Sequence, residues 1–115
     1  MRAIAIQVQP DRAPGLDMKE LSALFQEIAD GHALVKRHRF DSGDEDGLYF
    51  NFTFGTDDAV TLWKDIRRIV FENPRFHLHL SSAAMAMCSS DTGWESYVQL
   101  RHWDSRVPVV TDDQF

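Results

Sequence analysis

The chain has 115 residues, 43% of them hydrophobic, 26% charged and 11% aromatic, a balance that fits one globular domain and excludes wholesale disorder. Lys and Arg number 12 against 18 Asp and Glu, and the resulting net charge of −6 repels phosphate backbones, which argues against nucleic acid as a partner. The single cysteine, Cys88, excludes an intrachain disulfide.

At the N-terminus the apolar run Ala3–Ile6 is too short for a secretory signal core, and no segment approaches the roughly 20 apolar residues of a membrane helix. A cytoplasmic protein is expected. Residues 2–9 alternate, with Ile4, Ile6 and Val8 on one side and Ala5, Gln7 and Gln9 on the other, the period of a half-buried strand. Pro10 and Pro14-Gly15 end it. Asp17 with Glu20 three residues on is a capping pattern, and Leu21, Leu24, Phe25 and Ile28 follow at helical spacing, so a helix is expected over about 17–30.

Residues 33–41 read as a second strand whose faces are mixed, because Leu34 and Phe40 share a side with Lys36 and His38; an edge or a bulge explains that. The polar stretch 41–47 reads as a hairpin connection. After it Leu48, Phe50, Phe52 and Phe54 alternate with Tyr49, Asn51 and Thr53, the cleanest strand in the chain. Thr56 or Asp57 caps a second helix carrying Val60, Trp63, Ile66, Ile69 and Val70, which Asn73-Pro74 terminates. Residues 75–80 alternate again, placing Phe76, Leu78 and Leu80 inward and His77 and His79 outward. A small apolar segment from Ala83 to Ser90, a turn at Asp91–Gly93 and a strand over 94–103 form a final hairpin. The expected fold is therefore a single α+β domain over 1–115. It is ferredoxin-like, β-α-β-β-α-β with an additional C-terminal β-hairpin, an antiparallel sheet with two helices on one face, and an extended tail from about 105.

Chemistry-bearing patterns are few. His77-x-His79 on a strand would present two imidazoles on one face, but nothing at metal-site spacing supplies further ligands, so no metal or cofactor is expected. Ser42, Asp44, Asp46 and Gly47 fail the calcium-loop pattern, because Thr53 stands where the bidentate Glu belongs. Cys88 sits among Ala86, Met87 and Ser89 as a buried structural thiol, and no nucleophile elbow, phosphate-cradling loop or dinucleotide fingerprint occurs, so no enzymatic reaction is read from the chain. The polar side of the sheet, with Tyr49, Asn51, His77, His79, Tyr97 and Trp103, could line a pocket, which keeps open a second reading: a small dimeric enzyme or ligand sensor, or a homodimer formed through the open sheet face.

The most distinctive stretch runs from Met85 to Asp104, where Gly93-Trp94 precedes an acidic residue, a Tyr and an apolar strand ending in Trp103-Asp104. It resembles the C-terminal hairpin of small acidic bacterial proteins that are similar to the immunity partners of secreted antibacterial toxins. That resemblance implies a stoichiometric inhibitor that neutralises a cognate basic toxin by occluding its active site. The expected contacts are Asp44, Glu45 and Asp46 in the 41–47 loop and Asp91, Trp94 and Glu95 at the hairpin turn, where an aromatic anchor stands between acids.

Overall fold

A computed structural model describes residues 1–115. Its sheet has five strands, all antiparallel, in the spatial order β2-β3-β1-β4-β5. In chain order these are β1 (Arg2–Val8), β2 (Arg37–Asp44), β3 (Leu48–Thr56), β4 (Ala84–Ser90) and β5 (Gly93–Arg101). The helices are α1 (Met18–Gly31), α2 (Ala59–Ile66) and α3 (His77–Ala83); a π-helical stretch, Arg67–Phe71, continues α2. None of these helices is long and apolar enough to cross a membrane.

The alternation seen in β1 decides the layering. Ile4, Ile6 and Val8 are fully buried beneath the helices, together with Phe52 and Phe54 of β3 and Ala84, Ala86 and Cys88 of β4. Leu21, Phe25 and Ile28 of α1 and Leu62, Trp63 and Ile66 of α2 close over them in one continuous core, so both helices lie on the same face. Phe25 stacks on Phe52 with ring centroids 4.2 Å apart, and Phe40 of β2 meets Phe52 edge-on at 5.0 Å. The caps are local. The Asp17 carboxylate accepts from Glu20 N–H at 3.0 Å, and Asp58, one residue beyond the expected cap, accepts from Thr61 N–H at 3.1 Å.

Residues 75–80 differ from the strand their alternation implies. They do not form a strand; His77–Ala83 is a helix. Its N-cap Phe76 and its residues Leu80 and Ala83 are buried, spaced i, i+4 and i+7, whereas Leu78, which completes the alternating pattern, is 73% exposed. In consequence the fourth sheet strand is Ala84–Ser90, paired directly with β1, and the 84–101 hairpin is part of the main sheet instead of an addition to it. A second shift concerns β2, which starts at Arg37 and runs to Asp44, taking up half of the stretch read as loop. The turn itself is Glu45–Gly47, where Asp46 and Gly47 have φ of 54° and 118°, left-handed values suited to Asp and Gly.

The tail after β5 has no regular structure but is fastened down. Val110 N–H donates to the Gln99 carbonyl at 2.9 Å, Asp113 faces Lys64 and Arg67, and the Phe115 carbonyl accepts from Arg2 at 2.8 Å while its ring lies under the same guanidinium.

Candidate functional site

The face of the sheet away from the helices is uncovered. Register fixes which side chains meet there: Asp41, Asn51 and Gln7 form one row across β2, β3 and β1, and Arg39, Thr53, Ala5 and Met87 form the next. The polar row is joined by hydrogen bonds. Arg12 donates to Gln9 at 2.7 Å, Gln9 to Gln7 at 3.0 Å, Gln7 to Asn51 at 3.2 Å and Asn51 to Asp41 at 3.1 Å, and Arg39 lies 3.4 Å from the same Asp41 carboxylate. Two guanidinium groups, three amides and one carboxylate thus hold each other in place before anything binds.

Trp94, 42% exposed, stands at this face from β5. It lines two shallow adjoining cavities. One, of about 370 Å³, is walled by Gln7, Arg39, Asp41, Asn51 and Met87. The other, of about 350 Å³, is walled by Ala3, Arg37, His38, Arg39 and Gly55. The electrostatic setting of Trp94 therefore differs from the one its sequence neighbours imply. Asp91 and Glu95 flank it along the chain, but across the cavities it faces Arg37 and Arg39, whereas the His38 ring lies against Phe40 on the helix side of β2.

The two acidic turns lie far apart. Antiparallel pairing puts the β2–β3 turn, with Asp44, Glu45 and Asp46, at the Val8 end of the sheet and the β4–β5 turn, with Asp91 and Glu95, at the opposite end. The strands also carry them on opposite edges. At about 3.3 Å per residue, a seven-residue strand separates the two turns by ~20–25 Å along its axis. Asp44, Glu45, Asp46, Asp91 and Glu95 are all exposed. A further acid, Asp11, joins the first group, its carboxylate 3.9 Å from where a Gly47 Cβ would stand.

Other sequence candidates go elsewhere. His77 and His79 lie on α3, where residues two apart point about 200° apart, so they do not share a face. His77 lines a cavity with Glu72 and Arg101, and the His79 ring lies against Gly15. No group of three or more His, Cys, Asp or Glu is placed to hold one metal ion. Tyr49 lies across Gly43, leaving no room there for a side chain, and Trp103 carries the Arg12 guanidinium 4.1 Å above its ring. Burial raises the pKa of Cys88 above its ordinary value, as befits an inert thiol. The His32 hydrogen bond lowers that of Asp65, and the Arg106 hydrogen bond lowers that of Asp104. None of these three groups lines the open face. The alternation of residues 2–9 puts Gln7 on the open face, whereas Arg39, Asp41 and Met87 are not legible there, because the β2 and β4 partners need the register. Comparison of the chain with protein-family models, with curated protein sequences and with solved structures finds no significant match in any of the three.

Proposed function

We propose that the protein is a stoichiometric protein-binding inhibitor of the toxin–immunity kind, which docks through its open sheet face and blocks the active site of a cognate toxin in the cytoplasm. The observation that carries this reading is the half-exposed Trp94 indole, which reaches from the edge strand over two shallow cavities of an uncovered face, since exposed aromatics seated in such hollows are the usual anchors of protein interfaces. Occlusion needs no catalytic residue. The acidic turns at diagonal corners suit a partner with basic rims on both sides of its cleft, and Arg37 and Arg39 beside Trp94 suit an acidic group nearer the centre. The frame is best described as ferredoxin-like: the order β2-β3-β1-β4 and the chain order β1-α1-β2-β3-α2-β4 support that description, with α3 inserted before β4 and β5 appended beyond it.

The test is a titration against the protein encoded beside this gene. A 1:1 complex that suppresses the partner's toxicity supports the reading, and no association at micromolar concentrations defeats it. One observation favours a second reading, a ligand sensor or small enzyme: the hydrogen-bonded row Gln7–Asn51–Asp41 walls a cavity of about 370 Å³ with fixed polar groups. In that case a small polar molecule raises the melting temperature and Asn51→Leu abolishes the rise.

A further inference from the structure

β2 is an edge strand whose second side pairs with nothing. The other edge of the sheet is partly taken by the chain's own tail, through the Val110–Gln99 hydrogen bond, but no segment lies against β2 beyond β3. Unpaired edges are commonly blunted with charge of one sign, which repels a second copy. Here the charges segregate about a centre. Lys36, Arg37 and Arg39 precede Phe40, and Asp41 and Asp44 follow it. Phe40 itself is half-buried, held from the helix side by Phe52 and Phe54 at ring-centroid distances of 5.0 and 5.6 Å.

We propose that β2 pairs antiparallel with β2 of a second copy of this chain about a two-fold axis at Phe40, joining two five-stranded sheets edge to edge. A continuous sheet must keep its faces, so residues directly opposite each other have to come from the same face, and only every second register is allowed. Centred on Phe40, Arg39 faces the other copy's Asp41 and Asp41 faces its Arg39. Lys36 faces Asp44 in the same reciprocal way, and the two Phe40 rings meet at the axis. The neighbouring allowed registers put Asp41 opposite Asp41 or Arg39 opposite Arg39, like charges at the centre of the contact. The strand is thus self-complementary in one register. Because Arg39 and Asp41 already lie 3.4 Å apart within one chain, pairing assembles an alternating ring of two guanidinium and two carboxylate groups on the open face. The eight residues of β2 fall well short of the roughly 20–30 a side of a standard stable interface, so the dimer forms in the micromolar range and above. Both open faces stay on one side of the joined sheet, so this pairing is independent of what the face binds.

Sedimentation equilibrium of the full chain tests it. The parent dimerises, and added salt weakens the dimer. Arg39→Glu and Asp41→Arg each weaken self-association by about tenfold or more, because every charged pair at the centre turns repulsive. An equimolar mixture of the two variants re-forms a dimer. The introduced glutamate of the first variant then meets the introduced arginine of the second, and the native Asp41 of the first meets the native Arg39 of the second. That rescue also shows that neither variant has merely misfolded. A parent that stays monomeric up to millimolar concentration overturns the proposal, as do single variants that associate like the parent or a mixture that associates no better than its components.

Discussion

Single residues carry the firmest energetics in this molecule. Phe52 is 3% exposed and lies between Phe25 and Phe40, so Phe52→Ala removes a ring that both the helix layer and the edge strand use. Its expected cost is roughly 3–5 kcal/mol in chemical denaturation, and a loss below about 1 kcal/mol would place the ring outside the core. His32 and Asp65 join the end of α1 to α2 through a 2.8 Å contact. Leu34 N–H donates to His32 Nδ1, so Nε2 carries the proton that Asp65 accepts. That hydrogen bond lowers the Asp65 carboxyl below its ordinary 3.8, so the stabilisation is present above that value and is lost as pH falls through the lower folded value. Asp65→Asn should cost about 1 kcal/mol at neutral pH, a modest figure because the pair is partly exposed, and the gap between variant and parent should close in acid below pH 3.8. Denaturation series at both pH values measure it; a gap that persists unchanged into acid would remove the electrostatic explanation. Cap chemistry is legible to within a residue. Asp17 reads directly, whereas Thr56, Asp57 and Asp58 are all suitable caps, and only the Asp58–Thr61 bond decides among them.

At the scale of elements, the sequence is clearest where one period alone fits. β1, β3 and α1 each have one apolar pattern, and each forms the element that pattern implies. Residues 76–83 satisfy two, because Phe76 and Leu80 are consistent with alternation through Leu78 and with a helical stripe through Ala83. Packing under the end of the π-helical stretch selects the second. The consequence is testable. Leu80→Ala should cost about 2–5 kcal/mol and Leu78→Ala less than about 0.5, where a strand would make the two losses comparable. β2 is blurred for another reason: an edge strand with charged residues on both faces shows little alternation, and its register comes only from pairing with β3. The tail, rich in Asp and carrying Pro108, reads as surface chain, yet Arg2, Lys64 and Arg67 from distant positions fix it, contacts that no local pattern reveals.

For the whole molecule, net charge is legible and its placement is not. The acids near 44–46 and 91–95 look like one cluster in composition, but strand direction sends them to opposite ends of the sheet, and Trp94 finds arginines as its neighbours across the cavities. Charge at the rim of an interface chiefly sets the encounter rate. Reversing Asp44, Glu45 and Asp46 to Lys should therefore slow association with a basic partner and flatten its salt dependence while leaving dissociation unchanged, as stopped-flow kinetics at two ionic strengths would show; faster dissociation would mean these side chains are buried in the complex. If the open face binds a protein as proposed, Trp94 is its anchor. The most direct measurement is the dissociation rate of the complex with the protein encoded beside this gene, compared between the parent and Trp94→Ala. Loss of the indole should speed dissociation by a factor corresponding to about 2 kcal/mol or more at nearly unchanged association rate. Equal dissociation rates for the two proteins would contradict it.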